Sequence, residues 1–337
     1  MSDGADLAGE EPGDPLHARE TDLSVRGREK GKSMGDPNYT PTVPRIFMTK
    51  VGNQKLRTAI WEGRDKGFPG PGGKRTPLLF FNGIGANLEI AQMFADSFTG
   101  RDIVTFDMPG IGGSPDPKIP YRPGWVAKAA RQILDAEGYK YVDVLGVSWG
   151  GGAAQHFAWA NRTITKRLIL CATAPGVTMV PGRPRQLLKM ASPKRYISRD
   201  FMKKNFEAIY GDSASEGLDD FRRNLIPPST KGYLYQLLAM SGYSSLPYLR
   251  CIRARTLILM GENDHIVPVI NGRIMAKLIP HARVEVVEDA GHLFMVTKRE
   301  ETVARIRAFF KEPAVPLPDV HGVELPSHAA SFAANLG

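Results

Sequence analysis

Short, almost continuous runs of apolar residues, each followed by a stretch with helical spacing, constrain this chain more than any other feature. The runs are Leu78–Phe81, Asp102–Phe106, Val142–Val147, Leu168–Cys171, Thr256–Met260 and Val284–Val287. A strand with one wet face alternates apolar and polar residues, whereas a run without alternation belongs to a strand covered on both faces. Leu88–Ser97, Gly124–Glu137, Gly150–Asn161, Asn271–Ile279 and Arg299–Lys311 read as the helices between them. In the last of these, Val303, Ile306, Phe309 and Phe310 fall on one side. Repeated β-α alternation predicts an α/β fold, a mostly parallel sheet with helices on both faces. Arg45–Lys50 and Leu56–Glu62 read as an opening hairpin, which makes Leu168–Cys171 the sixth strand and Thr256–Met260 the seventh.

The rhythm breaks once. From about Pro175 to Arg253, between those two strands, the pattern turns helical and irregular. An insertion there stands above the carboxyl edge of the sheet, where open α/β sheets bind their ligands. The expected organisation is a core of residues 43–175 and 254–311, a helical cap of residues 176–253, and two tails. Residues 1–42 are polar and rich in Gly, Pro and alternating charge. Such a segment buries too little apolar surface to offset its ordering entropy, and disorder is expected. Met34 inside it is a second candidate start. Residues 312–337 carry Pro313, Pro316, Pro318 and Pro326 and read as a flexible tail.

Composition narrows the function. The 337 residues are 42% hydrophobic, enough for one large core. No apolar run approaches the roughly 20 residues that span a bilayer. Met1 to Glu20 lacks the apolar stretch of a secretory signal, so a cytoplasmic protein without a transmembrane segment is expected. Cys171 and Cys251 are too few for a disulfide framework and both read as small buried apolar residues. His156 reads as a packing residue, His265 as a loop residue, and His17, His281, His321 and His328 as tail or loop residues. None forms an HExxH pair or other ligand spacing, so neither metal nor cofactor is expected. The net charge of +9 would suit a nucleic acid. The basic residues follow no recognition pattern, and no such partner is expected.

Gly146-Val147-Ser148-Trp149-Gly150 closes the Val142–Val147 run and opens a helix. In such an elbow the serine sits in a strained turn with its hydroxyl above the sheet, and small flanking residues let strand and helix approach. After the seventh strand comes Gly261-Glu262-Asn263-Asp264-His265, and after the last strand Asp289-Ala290-Gly291-His292. Ser148, then Asp264, then His292 is the chain order of an α/β-hydrolase triad of nucleophile, acid and base. Glu262 and Asp289 stay open as alternative acids. For the oxyanion hole, the backbone N–H of Trp149 is one expected donor. The glycine-rich Asn82-Gly83-Ile84-Gly85 loop supplies the other, with Ile84 the choice. Asp107, which opens Asp107-Met108-Pro109-Gly110, is expected to bond loop amides in a structural turn.

The loop Asn82-Gly83-Ile84-Gly85-Ala86-Asn87-Leu88-Glu89, preceded by Thr76-Pro77, resembles the oxyanion signature of intracellular medium-chain-length polyhydroxyalkanoate depolymerases. Gly146 to Gly151, Met179-Val180-Pro181-Gly182-Arg183-Pro184, Met190-Ala191-Ser192-Pro193 and Gly291-His292-Leu293-Phe294 are similar to that family too. The similarity runs from about Pro44 to Phe310. It implies an α/β-hydrolase fold and hydrolysis of storage polyesters of 3-hydroxy acids, with Ser148 as nucleophile, Asp264 as acid and His292 as base. It also implies an ester or polyester substrate and a possible meeting with the storage-granule surface. A small-molecule carboxylesterase or perhydrolase would use the same triad and is the alternative. Most of the cap's apolar residues, among them Leu187, Leu188, Tyr233, Leu234, Tyr235, Leu237, Leu238 and Met240, are expected to pack it onto the sheet.

Overall fold

A computed structural model of the chain describes residues 42–63, 76–192, 205, 207–212 and 216–315. Most of both expected tails lies outside these residues, as does the middle of the expected cap. β1 (Arg45–Val51) and β2 (Gln54–Trp61) form an antiparallel hairpin, and β2 pairs antiparallel with β4 (Ile103–Phe106), which follows β3 (Leu78–Phe81) in sequence. All later pairings are parallel, through β5 (Val142–Val147), β6 (Thr165–Cys171), β7 (Arg255–Gly261) and β8 (Ala282–Val287). The strand order is β1-β2-β4-β3-β5-β6-β7-β8. Every residue of β3 and β4 is buried, as their unbroken apolar runs require.

Helices follow the strands in order: α1 (Gln92–Ala95), α2 (Pro123–Ala136) and α3 (Trp149–Ala160). Between β6 and β7 come α4 (Pro184–Ala191), α5 (Glu216–Asn224) and α6 (Thr230–Met240). The chain closes with α7 (Val269–Leu278), α8 (Phe294–Thr297) and α9 (Arg299–Lys311). The right-handed crossovers from β4 through α2 to β5, and from β5 through α3 to β6, put those helices on one face. The β3–β4 connection runs the other way along the sheet and covers the opposite face. There α9 joins it: Arg307 donates to the Ser97 carbonyl at 2.6 Å, and the Phe98 and Phe310 rings meet edge-on at 5.8 Å.

Some expectations need correction. Leu88–Ser97 is not one helix but a 3-10 turn, Leu88–Ala91, followed by the single turn of α1. The Leu88 N–H goes to the Asp107 carboxylate and the Ile90 N–H to the Asn87 carbonyl, so the first turn closes over three residues. Cys171 is buried, but Cys251 is exposed, because it ends a surface 3-10 turn just before β7. Residues at the inner ends of the expected tails are tied down. Thr42 donates its N–H to Asp96, and Glu312 is paired with Arg255 and Arg283.

Of the apolar residues between β6 and β7 singled out above, Tyr233 is buried and Leu187, Tyr235 and Met240 pack against the core, while the other four face outward. Leu188 is 74% exposed and Leu234 50%, and Leu237 and Leu238 are exposed too. α6 buries Gly232, Tyr233, Gln236 and Ala239 instead. Small residues on that inner side allow close approach: a Cβ at Gly232 would stand 2.5 Å from the Gly110 carbonyl oxygen. Met190, Phe201, Met202 and Phe206, expected to belong with this group, have side chains outside the described set. Among the described residues, no helix is long and apolar enough to cross a membrane.

Candidate active site

β3 lies between β4 and β5, so the chain leaves β3 in one direction along the sheet and β5 in the other. Connections that diverge over opposite faces open a crevice at the carboxyl ends of the strands. The Asn82–Gly85 loop follows β3 and Ser148 follows β5, and Phe81 and Gly146, just before them, are register partners. Asp264 follows β7 and His292 follows β8, so all the singled-out residues emerge at this one edge.

Ser148 has φ 51° and ψ −117°, the strained turn expected of an elbow. Holding a non-glycine residue there costs on the order of 1–3 kcal/mol. The surroundings hold it in place. The Ser148 N–H donates to the Cys171 carbonyl at 2.9 Å, and its own carbonyl accepts from Gly151 N–H and the Thr173 hydroxyl. Gly150 is glycine for want of room, since a Cβ would lie 2.2 Å from the Phe81 carbonyl oxygen.

His292 is buried, with Nε2 2.9 Å from Ser148 Oγ and Nδ1 2.8 Å from Asp264 Oδ2. The other Asp264 oxygen accepts the N–H groups of Ile266 and Val267, both at 2.8 Å, which limits rotation of the carboxylate that faces the imidazole. Glu262 and Asp289, the alternative acids, are exposed, and Glu262 spends a carboxylate oxygen on the Asp289 N–H. This arrangement can take a proton from Ser148 Oγ through His292 Nε2 while Asp264 balances the charge on the ring.

The Asn82–Gly85 loop turns over Ser148. The Ala86 N–H bonds the Gly83 carbonyl at 3.2 Å and Gly85 has φ 70°, a backbone region glycine enters without strain. A Cβ at Gly83 would be 3.8 Å from Ser148 Cβ, so a methyl group added to this loop would just touch the serine. Trp149, whose amide opens α3, is buried beside it.

Sequence reasoning passed over a second layer of contacts from the segment between β6 and β7. The Asp212 carboxylate accepts the N–H groups of Gly291 and Leu293, the residues on either side of His292, and the Thr297 hydroxyl. The His292 N–H donates to the Tyr210 carbonyl at 2.6 Å, and the Tyr210 ring stacks on the imidazole. Between them Gly211, at φ 75°, lies so close to Asn263 that a Cβ would stand 2.0 Å from its carbonyl oxygen. The signal available in the sequence was the pair of glycines, Gly211 and Gly291, each of which admits a second backbone.

Comparison with known proteins decides the family. Residues 76–298 match the family model described as alpha/beta hydrolase fold. The chain belongs to the α/β-hydrolase family. It is 39% identical over 281 residues to a poly(3-hydroxyalkanoate) depolymerase from Ectopseudomonas oleovorans, covering 80% of this chain and 94% of that protein. It is 26% identical to a 2-hydroxymuconate semialdehyde hydrolase from Pseudomonas putida, over 71% of this chain and 89% of the relative. Among solved structures, an esterase from Exiguobacterium antarcticum superposes with TM-score 0.64 at 20% identity, covering 77% of this chain and 96% of that one. The enol-lactonase of Burkholderia xenovorans gives 0.62 at 20%, covering 79% and 100%. These two share the fold. Membership of the family and the depolymerase relative together make this hydrolase a carboxylic-ester hydrolase.

Other polar groups of the hydrolase stand apart from the Ser148–His292–Asp264 chain. His156 packs edge-on against Trp159 and Tyr248, and burial pushes its imidazole down to about 4. His265 lies next to Asp264 in sequence, but among the described residues its ring meets the Ala208 carbonyl, at 3.4 Å. Among the described residues, no cluster of three or more His, Cys, Asp or Glu side chains could hold a metal ion.

Asp107 bonds loop amides, those of Leu88 and Gly113 at 2.6 and 2.9 Å, with Arg57 3.4 Å away. Burial outweighs these partners and lifts its carboxyl from the ordinary 3.8 to about 6. A raised folded value gives stability that is whole below the unfolded value and lost as pH rises through the folded one. The carboxyl therefore withdraws about 2 kcal/mol between pH 4 and pH 7. Thermal melts of Asp107→Asn should fall less, or rise more, with pH across that window than those of the wild type. Parallel slopes would refute this account of Asp107.

Proposed function

We propose that this hydrolase cleaves ester bonds of polyhydroxyalkanoate, a polyester of 3-hydroxy acids, through an acyl-enzyme on Ser148. The observation that carries the mechanism is the unbroken hydrogen-bond chain Ser148 Oγ–His292 Nε2 and His292 Nδ1–Asp264 Oδ2, at 2.9 and 2.8 Å. His292 takes the hydroxyl proton as Ser148 Oγ attacks the ester carbonyl, and the carbonyl oxygen becomes an oxyanion. The backbone N–H groups of Ile84 and Trp149 receive that charge. The tetrahedral intermediate expels the hydroxy end of the polymer as an alcohol, which collects the proton from His292. Water, activated by the same imidazole, then releases the acid and restores Ser148. Asp264 keeps the proton of the neutral ring on Nδ1 throughout.

The polymer as substrate is supported by the depolymerase relative, which this chain matches over 94% of its length. The Asn82–Glu89 loop and the motifs between β6 and β7 support medium-chain-length side chains. In this reading the segment between β6 and β7 is a cap. The outward Leu234, Leu237 and Leu238 of α6 form an apolar stripe suited to a polyester or granule surface. The test is release of 3-hydroxyoctanoic acid from amorphous medium-chain polymer, with the Ser148→Ala variant alongside. Release by the wild type alone supports both nucleophile and substrate. Intact polymer beside rapid cleavage of p-nitrophenyl esters would leave the triad standing and make the chain a small-ester hydrolase.

A further inference from the structure

Gln236 is almost completely buried in the middle of α6, with 1% of its surface exposed. A primary amide in such a place costs free energy unless it is bonded. Two bonds of this residue reach groups beside Ser148. The side-chain oxygen Oε1 accepts the Gly85 N–H at 2.8 Å, and the backbone carbonyl accepts the Trp149 indole N–H, also at 2.8 Å. The first partner sits in the Gly83–Ala86 turn. Gly85 at φ 70° is free to flip the peptide that joins it to Ile84, and the bond to Gln236 opposes that flip. The second partner is the residue whose main-chain amide opens α3.

We propose that Gln236 is a positioning residue for the oxyanion hole: it fixes the turn that carries the Ile84 amide and the tryptophan that carries the other. The inference rests on the reading above that those two amides receive the oxyanion. It adds that their spacing is set from the segment between β6 and β7 and not by the sheet alone. A donor pair held a few tenths of an ångström out of place stabilises the tetrahedral intermediate less while binding the ground-state ester equally well. The expected signature is a fall in kcat with little change in KM.

The experiment uses the full chain and p-nitrophenyl octanoate, with octylboronic acid as a tetrahedral-adduct probe. Gln236→Leu, which keeps the volume and loses the acceptor, should lower kcat about 10- to 100-fold. KM should move less than about threefold, and boronate affinity should weaken by a factor similar to the kcat loss. Gln236→Glu tests the same bond by pH. Protonated, the carboxyl still accepts the Gly85 N–H; ionised, it places a negative charge beside the hole. It should therefore add a descending limb to kcat at higher pH where the wild type is flat, and it stays informative if Gln236→Leu fails to fold. Unchanged kcat and boronate affinity in Gln236→Leu, or no added limb in Gln236→Glu, overturns the proposal. Ser148→Ala in parallel separates the cases. If wild-type cleavage persists without Ser148, the reading of the site has failed and not the role of Gln236.

Discussion

Turnover of a soluble ester by Ser148→Ala is expected to fall by about five to six powers of ten, with the fold intact. The argument is geometric. Ser148 Oγ is the atom joined to His292 Nε2, and a methyl group can neither attack a carbonyl nor give up a proton. What remains should be the roughly 10³- to 10⁴-fold catalysis over water that oxyanion stabilisation and binding supply by themselves. Little stability is at risk, because the bonds holding the elbow run through the Ser148 backbone to Cys171, Gly151 and Thr173. The measurement is a pre-steady-state burst of p-nitrophenol. The wild type should release about one equivalent per chain and the variant none. Activity within tenfold of wild type would remove Ser148 from the mechanism.

Asp264→Asn should be almost as severe, about 10⁴-fold in kcat. The carboxylate divides its work, with Oδ1 holding the Ile266 and Val267 amides and Oδ2 facing His292 Nδ1. In the variant the amide oxygen must stay with those two N–H donors, which turns the NH2 toward the imidazole. Nδ1 then has to accept, the ring proton moves to Nε2, and the imidazole loses the lone pair that took the serine proton. Binding of the ester is untouched, so KM should hold. Glu262→Gln, by contrast, changes an exposed side chain bonded to the Asp289 amide and should leave kcat within about twofold. A reversal of those two results would move the acid to Glu262.

The parts of this molecule that could be read from its sequence are those whose cause is local. A strand covered on both faces has to be mostly apolar without alternation, which is why β3, β5 and β7 were visible as runs. The elbow was visible because Gly150 has no room for a Cβ between α3 and the end of β3. Chain order then linked Ser148, Asp264 and His292 despite a separation of 144 positions between the first and last. What stayed hidden depends on contacts that no local pattern records. Gln236 lies among Tyr233, Leu234, Tyr235, Leu237 and Leu238, where an isolated polar residue reads as the wet side of a helix. The helix turns the other way, because its inner neighbour is a hydrogen-bonding loop 151 residues earlier in the chain. Asp212 was invisible for the same reason, since its partners are two backbone amides and the Thr297 hydroxyl, 79 to 85 positions further along the chain.

The Tyr210–Asp212 strip has a consequence for anyone who would recombine this protein with its relatives. A segment inserted between two strands invites exchange as a module, cut at the ends of the flanking strands. Here the excised piece would carry away the carbonyl that holds the His292 amide and the carboxylate that grips Gly291 and Leu293. A foreign segment without an equivalent of Asp212, or with a bulkier residue at Gly211, leaves those buried amides unpaired or forces the histidine loop outward. A workable chimera has to move residues 207–212 and 289–297 as one unit, so that graft and scaffold exchange along a seam inside the active site and not at its rim.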